Sequence, residues 1–356
     1  MDQLDAPQEG VLEISVFGKG YGESIVIHLP DGKWIIIDTY LDINSTPIAL
    51  KYLRDIGINP ASSVSVVLLT HWHDDHIQGA STVVSECSAA RIALTGYLQS
   101  KEFNTLMSSY NNIDCGEFGT GVDELEKVLH ILNESKREHF WCYSNTLIFS
   151  DHLHFNYQFE ALSPSSRDFE NLLLRLQEKN PDIRMPSISP NNASVAAVLR
   201  VNKELFLFGA DLENGNNFSG WGNICTHVWN ERGQASFFKI AHHGSSGAAH
   251  PQVWENLLQE NAQAVLTPWN RGKKLPTIDG VKRINQKTLH AYAAAKPTTS
   301  RAKTGVATID KIIKEGGIKL LKNSTRGGQV RFRKPENGQW QVTLFGDACH
   351  LKDVMT

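Results

Sequence analysis

A short polar cluster directly after an apolar run constrains this chain more than any other feature. The run VSVVLL, residues 64–69, has the length and β-branched composition of a buried strand, and THWHDDHIQG follows at 70–79. Three histidines and two aspartates fall within the six positions 71–76. The pattern predicts a strand that ends in a loop of imidazole and carboxylate groups.

These side chains are the types that bind borderline divalent ions such as Zn²⁺. In extended backbone, His71 and His73 lie on the same side and can reach one ion. A turn after Trp72 would let Asp75 and His76 face a second ion. For this stretch alone, a histidine-rich polar loop without metal is the alternative.

Two further apolar strands end in the same residue types. ELFLFGAD ends at Asp211, and ASFFKIAHHGS carries His242 and His243. Three strand ends that deliver metal ligands are improbable in a purely structural protein. We therefore interpret the three stretches as parts of a metal site.

The stretch HWHDDH matches the HxHxDH signature of the metallo-β-lactamase fold hydrolases. Within that superfamily, the chain resembles the soluble hydrolase domain of the ComEC/Rec2 competence proteins and their stand-alone relatives. The resemblance covers residues 11–276, with a poor match over 98–160. It rests on the glycine-rich hairpin VFGKGYGESIVIHLPDGKWIIIDTY, with Gly20, Gly22, Ser24 and Asp38, and on FEALSPS, NNAS, FLFGAD and KIAHHGS in that order.

The resemblance implies an α/β fold, an αββα sandwich of two facing mixed sheets with helices outside and metals at one edge. It implies a first ion held by His71, His73 and a histidine of HHGS. It also implies a second ion held by Asp75 and His76.

In the same resemblance Asp211 lies between both ions. Either His242 or His243 can be the ligand from HHGS, and the other would contact substrate or orient a ligand. We predict Asp75 and His243 as catalytic residues, with Asp75 also accepting a hydrogen bond from the nucleophile.

The chain departs from the family pattern at two positions. The competence branch usually places His-Pro after the strand that follows HHGS, and here Leu275 stands in that place. The second ion would then lose a ligand unless His250 or another group, such as His227, replaces it. Tyr40 stands where the family commonly has glycine, which would narrow the mouth of the pocket.

Charge is divided unevenly along the 356 residues. Residues 271–334 contain 17 Lys and Arg against three acids, whereas the remainder contains 18 against 35. We expect this basic C-terminal region to face a polyanion, and a solvated or internally paired basic surface is the alternative. The predicted substrate contacts are Ser245, Arg271, Lys273 and Lys274.

Together these features predict a metal-dependent hydrolase, a phosphodiesterase or nuclease that acts on DNA through a metal-activated hydroxide. The predicted cofactor is a divalent metal, as one or two ions, with Zn²⁺ favoured and Mn²⁺ compatible. The predicted partner is nucleic acid or another phosphodiester. The alternatives are a small-molecule phosphodiesterase, acting on a nucleotide signal or a phosphorylated head group, and a binding or regulatory module without turnover. A thioester or amide hydrolase is a third alternative, disfavoured because the HHGS branch does not resemble the glyoxalase or lactamase branches.

The organisation of the chain predicts a single domain over 1–356, with a partly helical elaboration at 98–190. The basic region reads as helices over GVKRINQKTLHAYAAA and ATIDKIIKEG, followed by the strands GQVRFRK and QWQVTLFG. No stretch approaches the roughly 18 to 20 apolar residues that span a bilayer, so we expect a cytoplasmic protein without membrane contact. Five dispersed cysteines without a CxxC pair predict no disulfide framework.

Overall fold

Short apolar strands build two eight-stranded mixed sheets in this computed structural model, which describes residues 5–99, 119–153, 155–177, 190–298 and 327–354. The strands of the first sheet are β1 (Val11–Gly18), β2 (Ser24–His28), β3 (Trp34–Ile37), β4 (Val64–Leu69), β5 (Arg91–Thr95), β6 (His139–Cys142), β14 (Gly328–Pro335) and β15 (Gln341–Gly346). Their order across the sheet is β15-β14-β1-β2-β3-β4-β5-β6.

The second sheet takes its strands from the middle and the end of the chain. They are β7 (Thr146–Asp151), β8 (Tyr157–Ala161), β9 (Ala197–Val201), β10 (Glu204–Phe208), β11 (Ala235–Lys239), β12 (Leu258–Leu266), β13 (Ala291–Ala293) and β16 (Cys349–His350). Their order is β16-β13-β12-β11-β10-β9-β8-β7. Within the predicted elaboration at 98–190, β6 therefore extends the first sheet while β7 and β8 extend the second.

Helices cover the outer faces of both sheets. The described α-helices are α1 (Ile48–Asp55), α2 (Pro60–Ser63), α3 (Asp74–Ile77), α4 (Ala80–Glu86), α5 (Gly119–Glu134), α6 (Ser166–Gln177), α7 (Gly220–Asn223) and α8 (Ile278–Asn285). Short π-helical turns follow at Ile224–Val228 and Val253–Leu257. Short 3₁₀ turns lie at Gly96–Gln99, Pro190–Ala193, His242–Gly244, Ser246–Ala248 and Leu351–Val354.

Three apolar cores lie between and around these layers. Strand β3 contributes to two of them, which explains why its sequence is apolar throughout. Ile35 and Ile37 point into the core between the two sheets. Trp34 and Ile36 point the other way, into the core beneath α1, α4 and α5. A strand buried on both faces needs a continuous apolar run rather than alternation. With a third core on the outer face of the second sheet, the layers form the predicted αββα sandwich, and that prediction is confirmed.

The C-terminal elements differ in part from the predictions. HAYAAA was expected to continue a helix, and this is wrong: α8 ends at Asn285, and Ala291–Ala293 form β13, parallel to β12. Small side chains suit this strand because Ala291 and Ala293 are fully buried. GQVRFRK forms β14 as predicted, and it pairs antiparallel with β1 along eight positions. The predicted helix ATIDKIIKEG lies outside the described residues.

None of the described helices is long and apolar enough to cross a membrane. Cys87, Cys142, Cys225 and Cys349 carry free thiols. Cys115 lies outside the described residues.

Parallel strand pairing places the candidate ligand residues at one edge of the sandwich. In the first sheet β3, β4 and β5 run parallel, and in the second β10, β11 and β12 do so. The carboxyl ends of parallel strands meet at the same edge of a sheet. The polar residues that follow β3, β4, β10, β11 and β12 are therefore brought together.

Candidate metal centre

Six of the seven predicted ligands lie in two adjoining groups at this edge. The first group consists of His71, His73 and Asp211, and one ligand atom of each lies within 4.8 Å of the others. His71 Nε2 is 3.1 Å from His73 Nδ1 and 3.9 Å from Asp211 Oδ2. His71 comes from the loop after β4, and His73 is the N-cap of α3.

The second group consists of Asp75, His76, His243 and Asp211, so Asp211 faces both groups. Asp75 Oδ2 lies 3.5 Å from His76 Nε2 and 3.3 Å from His243 Nε2. Asp211 Oδ1 lies 3.4 Å from His76 Nε2, and its Oδ2 lies 3.6 Å from His243 Nε2. Tetrahedral ligands bound to Zn²⁺ at about 2.0–2.1 Å are themselves roughly 3.3 Å apart. The spacing of this group therefore suits an ion at its centre.

The second group also contains buried atoms that need a partner. Within the described parts of the chain, Asp75 Oδ2, His76 Nε2 and Asp211 Oδ1 have no hydrogen-bond partner. A buried polar atom left in this state costs about 1–3 kcal/mol. One cation would satisfy all three atoms at once, so the residues present fit a divalent metal.

Neighbouring groups hold the imidazole rings in place. His76 Nδ1 lies 2.7 Å from Asp38 Oδ2, and Asp38 also accepts hydrogen bonds from the Thr70 amide and hydroxyl, each at 2.7 Å. His243 Nδ1 lies 2.8 Å from the Thr267 carbonyl oxygen. Each ring thereby directs Nε2 towards the centre, an arrangement common among metal-binding histidines.

On the first group, Ser194 and Thr70 play the corresponding part. The Thr70 hydroxyl lies 2.9 Å from His71 Nδ1, and the Ser194 hydroxyl lies 3.4 Å from the same atom. The Ser194 hydroxyl also accepts a hydrogen bond from the Asp211 amide at 3.0 Å. Asp38, Thr70 and Ser194 belong to the motifs IIIDTY, THWHDDH and NNAS, but the motifs alone do not predict which ring each residue supports, and Thr267 lies outside any of them.

The two groups differ in their electrostatics. Burial lowers the pKa of His71 and of His73. Burial by itself would lower the pKa of His76 and of His243 too, but the carboxylates of Asp211 and Asp75 outweigh it and raise both. Without metal, the first group therefore holds neutral imidazoles while the second group favours protonated ones.

The carboxylates of the second group respond in the opposite direction. Burial by itself would raise the pKa of Asp75, yet His76 and His243 outweigh it and hold that pKa below its usual range. The same two histidines hold the pKa of Asp211 well below its usual range against the effect of burial. Burial raises the pKa of Asp38, against the hydrogen bond from His76.

The arrangement departs from the implied ligand sets in the HHGS stretch. His243 lies with Asp75 and His76 rather than with His71 and His73. His242 joins neither group: its Nε2 is 3.3 Å from Asn191 Nδ2, and its Nδ1 is 3.8 Å from Glu213 Oε1. The two histidines have left-handed backbone, with φ of 46° and 54°, which directs consecutive side chains to different places.

The position of His243 bears on whether the second group lacks a ligand because residue 275 is a leucine. The Leu275 backbone pairs with that of Trp269 through two hydrogen bonds of 2.8 Å. Among the described residues, His250 and His227 do not enter the ligand groups, because His250 lies 3.8 Å from Cys225 Sγ and the His227 ring stacks on Phe218. Because His243 lies in the second group, that group has four candidate ligands even though position 275 is a leucine rather than a histidine.

The loop after β12 borders the centre and carries the predicted basic contacts. The Trp269 ring lies 5.7 Å from that of His243, between centroids. The Arg271 guanidinium carbon lies 3.2 Å from the Tyr21 ring centroid, and the Asn270 amide donates to the Gly20 carbonyl at 2.6 Å. Lys273 and Lys274 follow on this loop, which we call the basic loop (residues 269–275).

Two other predicted features occupy different positions. The Ser245 hydroxyl accepts a hydrogen bond from the Gly247 amide at 3.2 Å, within its own turn. Tyr40 is 3% exposed and packs against Gly22, where an added Cβ would lie 2.8 Å from the Tyr40 ring. Tyr40 therefore fills the space above a glycine with φ of 91° and is buried in the outer core of the first sheet.

Several basic side chains of the described C-terminal region pair with other groups of the same chain. Arg331 and Arg333 contact Asp5 at 3.2 and 2.8 Å, and Arg333 also contacts Glu13 at 2.8 Å. Lys334 forms an ion pair with Glu204, and Arg283 donates to the Gly244 carbonyl at 3.0 Å. Residues 299–326 lie outside the described residues.

One family model matches part of the chain. Residues 17–128, which include HWHDDH, match the family model of the metallo-β-lactamase superfamily. No curated protein matches the sequence.

Several solved structures are similar to this chain. The Rm3 metallo-β-lactamase is 14% identical, with a TM-score of 0.29, and the match covers 60% of this chain and 66% of that chain. The metallo-β-lactamase SMB-1 bound to 2-mercaptoethanesulfonate is 12% identical, with a TM-score of 0.35 and coverage of 71% and 87%. Zn²⁺-bound PqqB from Methylobacterium extorquens is 12% identical, with a TM-score of 0.28 and coverage of 52% and 51%. The chain thus spans just under two thirds of the first structure and about half of the third.

Proposed function

Residues 17–128 match the family model of the metallo-β-lactamase superfamily, and we propose that the chain is a member of that superfamily, a metal-dependent hydrolase that cleaves phosphodiester bonds in DNA. The observation that carries the metal-dependent part is the convergence of unpartnered, buried ligand atoms on Asp75, His76 and Asp211. Divalent ions bound there would lower the pKa of water towards neutrality and polarise a phosphoryl oxygen.

The residues of the centre have separate roles in this proposal. The first group, His71, His73 and Asp211, would hold one ion, and the second group would hold the other. Asp75 would be a ligand, and it would also accept a hydrogen bond from the attacking water and so orient that water towards phosphorus. Asp38 and the Thr267 carbonyl keep the rings of His76 and His243 in the orientation that binding requires.

The basic loop supports the choice of a phosphodiester substrate. The planar Arg271 guanidinium, stacked on Tyr21, matches phosphate geometry, and exposed Lys273 adds positive charge beside the centre. The half-buried Trp269 ring next to His243 offers a surface for a nucleobase. Because Arg331, Arg333 and Lys334 are paired with acids, the proposed DNA contact among the described residues is this loop.

A metal-replete activity screen tests the proposal, with single- and double-stranded DNA, RNA and a small phosphodiester as substrates. We expect DNA cleavage that depends on added metal and disappears in Asp75→Ala. Cleavage that persists in Asp75→Ala would place the activity elsewhere.

Two other outcomes would redirect the assignment. Turnover of the small phosphodiester without DNA cleavage would favour a small-molecule phosphodiesterase. Bound metal without turnover of any of these substrates would favour a binding module.

A further inference from the structure

Glu23, in the glycine-rich turn before β2, is a buried carboxylate beside the metal centre. Its side chain is enclosed, and the residue is 1% exposed. Oε2 accepts a hydrogen bond from the Thr267 hydroxyl at 2.7 Å and forms an ion pair with Lys239, which is 0% exposed. The other oxygen, Oε1, finds no hydrogen-bond partner among the residues that the structure describes. The ion pair therefore satisfies only half of this carboxylate.

Glu23 lies close to the second group. One carboxylate oxygen of Glu23 lies within 4.8 Å of ligand atoms of His76 and Asp211. The Glu23 amide donates to the Asp75 carbonyl oxygen at 2.8 Å, which ties the turn to the second group. Gly22, with φ of 91°, permits the bend that brings the chain to this point.

We propose that Glu23 is a further ligand of the ion in the second group, through Oε1. Oε2 remains with Lys239 and Thr267, which hold the carboxylate in one orientation. This inference rests on the metal binding of the proposed function and is independent of DNA as the substrate.

A fifth protein ligand changes the kind of ion that the second group prefers. The group then offers three carboxylates and two imidazoles. Oxygen-rich sets of high coordination number suit octahedral ions such as Mn²⁺, whereas Zn²⁺ favours four ligands in a tetrahedron. The first group, with two imidazoles and one carboxylate, keeps the composition of a zinc site.

The balance of buried charge bears on the number of ions at the centre. With neutral histidines, the buried charged side chains at the centre sum to −3, from Asp38, Asp75, Asp211, Glu23 and Lys239. One divalent ion would leave a net charge of −1 in the interior, where uncompensated charge is costly. Two ions leave +1, which suits an anionic substrate group.

The test compares two variants that both lack the ion pair. Lys239→Met retains the Glu23 carboxylate, whereas the double variant Glu23→Gln/Lys239→Met lacks it. Bound Mn²⁺ and Zn²⁺ per chain are measured by elemental analysis, and Mn²⁺ affinity by electron paramagnetic resonance. None of these readouts depends on activity.

We expect wild type and Lys239→Met to bind two ions per chain. The double variant should bind its second Mn²⁺ at least about 10-fold more weakly, with a smaller change for Zn²⁺. Equal two-ion binding by both variants would overturn the role of Glu23 and leave the proposed function intact.

A wild-type protein that binds no metal would overturn the role of Glu23 and the proposed function together. If Lys239→Met does not fold, as judged by circular dichroism, Glu23→Gln compared with wild type tests the same expectation. Unchanged Mn²⁺ affinity in Glu23→Gln would then count against it.

Discussion

The candidate metal centre and the basic C-terminal region differ in how their charged groups find partners. At the centre, the charged side chains are buried, and several of their atoms have no partner in the described chain. In the basic region, Arg331, Arg333 and Lys334 are matched by acids from distant parts of the chain. Several such atoms converging on one point favour a bound ion there. A cluster of charged residues in the sequence indicates a binding partner only if those residues are not already paired with opposite charges within the protein.

The largest effect is expected where one residue serves both groups. Asp211→Ala removes the only carboxylate, among the described residues, that belongs to both ligand groups. We expect loss of bound metal and a fall of at least about 1,000-fold in phosphodiester hydrolysis, equivalent to about 4 kcal/mol of transition-state stabilisation. Metal analysis and initial rates measure the two effects.

Glu213→Ala is the matched control for this variant. Glu213 lies two residues further along, and it contacts Asn191 and His242 rather than the ligand groups. Its metal content should equal that of wild type. A loss of metal in Glu213→Ala would instead give His242 a role at the centre.

A pH titration tests the electrostatic difference within the centre. Metal binding requires neutral imidazoles, and without metal His76 and His243 have raised pKa values. Each proton displaced contributes about tenfold per pH unit, so apparent affinity should rise by about 100-fold or more between pH 6 and 8. Calorimetry in buffers of different ionisation enthalpy counts the protons released, and a count of zero would contradict the pKa assignments.

The same shifts predict how stability depends on pH. A raised pKa in the folded state gives stability below the unfolded value, and that stability is lost as pH rises through the folded value. The metal-free protein should therefore lose thermal stability as pH rises above neutral, through the raised pKa values of His76 and His243. The metal-loaded protein should not, since its imidazoles are already neutral. Thermal unfolding with and without chelator compares the two.

A smaller effect is expected for the residue that orients His76. Asp38→Asn keeps the shape of the side chain but weakens its hold on His76 Nδ1. Metal affinity should fall by about 10- to 100-fold, as measured by competition with a chromophoric chelator. Asp42→Asn, in an exposed turn where Asp42 accepts hydrogen bonds from Asn44 and Thr46, should leave affinity unchanged. Equal affinities for the two variants would remove Asp38 from the centre.

The smallest effects are expected in the basic region, where the basic loop and the paired residue Lys334 should behave differently. Arg271→Gln/Lys273→Gln should weaken DNA binding at all sequences and reduce the slope of log affinity against log salt by about 2. Lys334→Gln should leave that slope unchanged and lower the free energy of unfolding by at most about 1 kcal/mol, because its ion pair with Glu204 is partly exposed. A reduced slope in Lys334→Gln would restore the wider basic surface.

Point variants suit this question better than removal of residues 271–334. That segment contains α8, β13 and β14, and β14 pairs with β1 along eight positions of the first sheet. Its deletion would change the fold together with the charge.

The candidate ligand residues and the strands that carry them could be picked out from local sequence. VSVVLL followed by His71, His73, Asp75 and His76 is a pattern of a few residues, and burial of an apolar run places its polar end at a sheet edge. The αββα fold followed from a resemblance that rests on the same short motifs.

The local sequence pattern could not predict which residues these side chains contact. The grouping of His243 with Asp75, the engagement of His242 by Asn191 and the pairing of Lys334 with Glu204 join parts of the chain far apart in sequence. Glu23 contacts Lys239 for the same reason. Spacing determines which face of a strand or loop a side chain occupies, but its partner depends on which strands become neighbours. That outcome is set by the packing of both sheets at once.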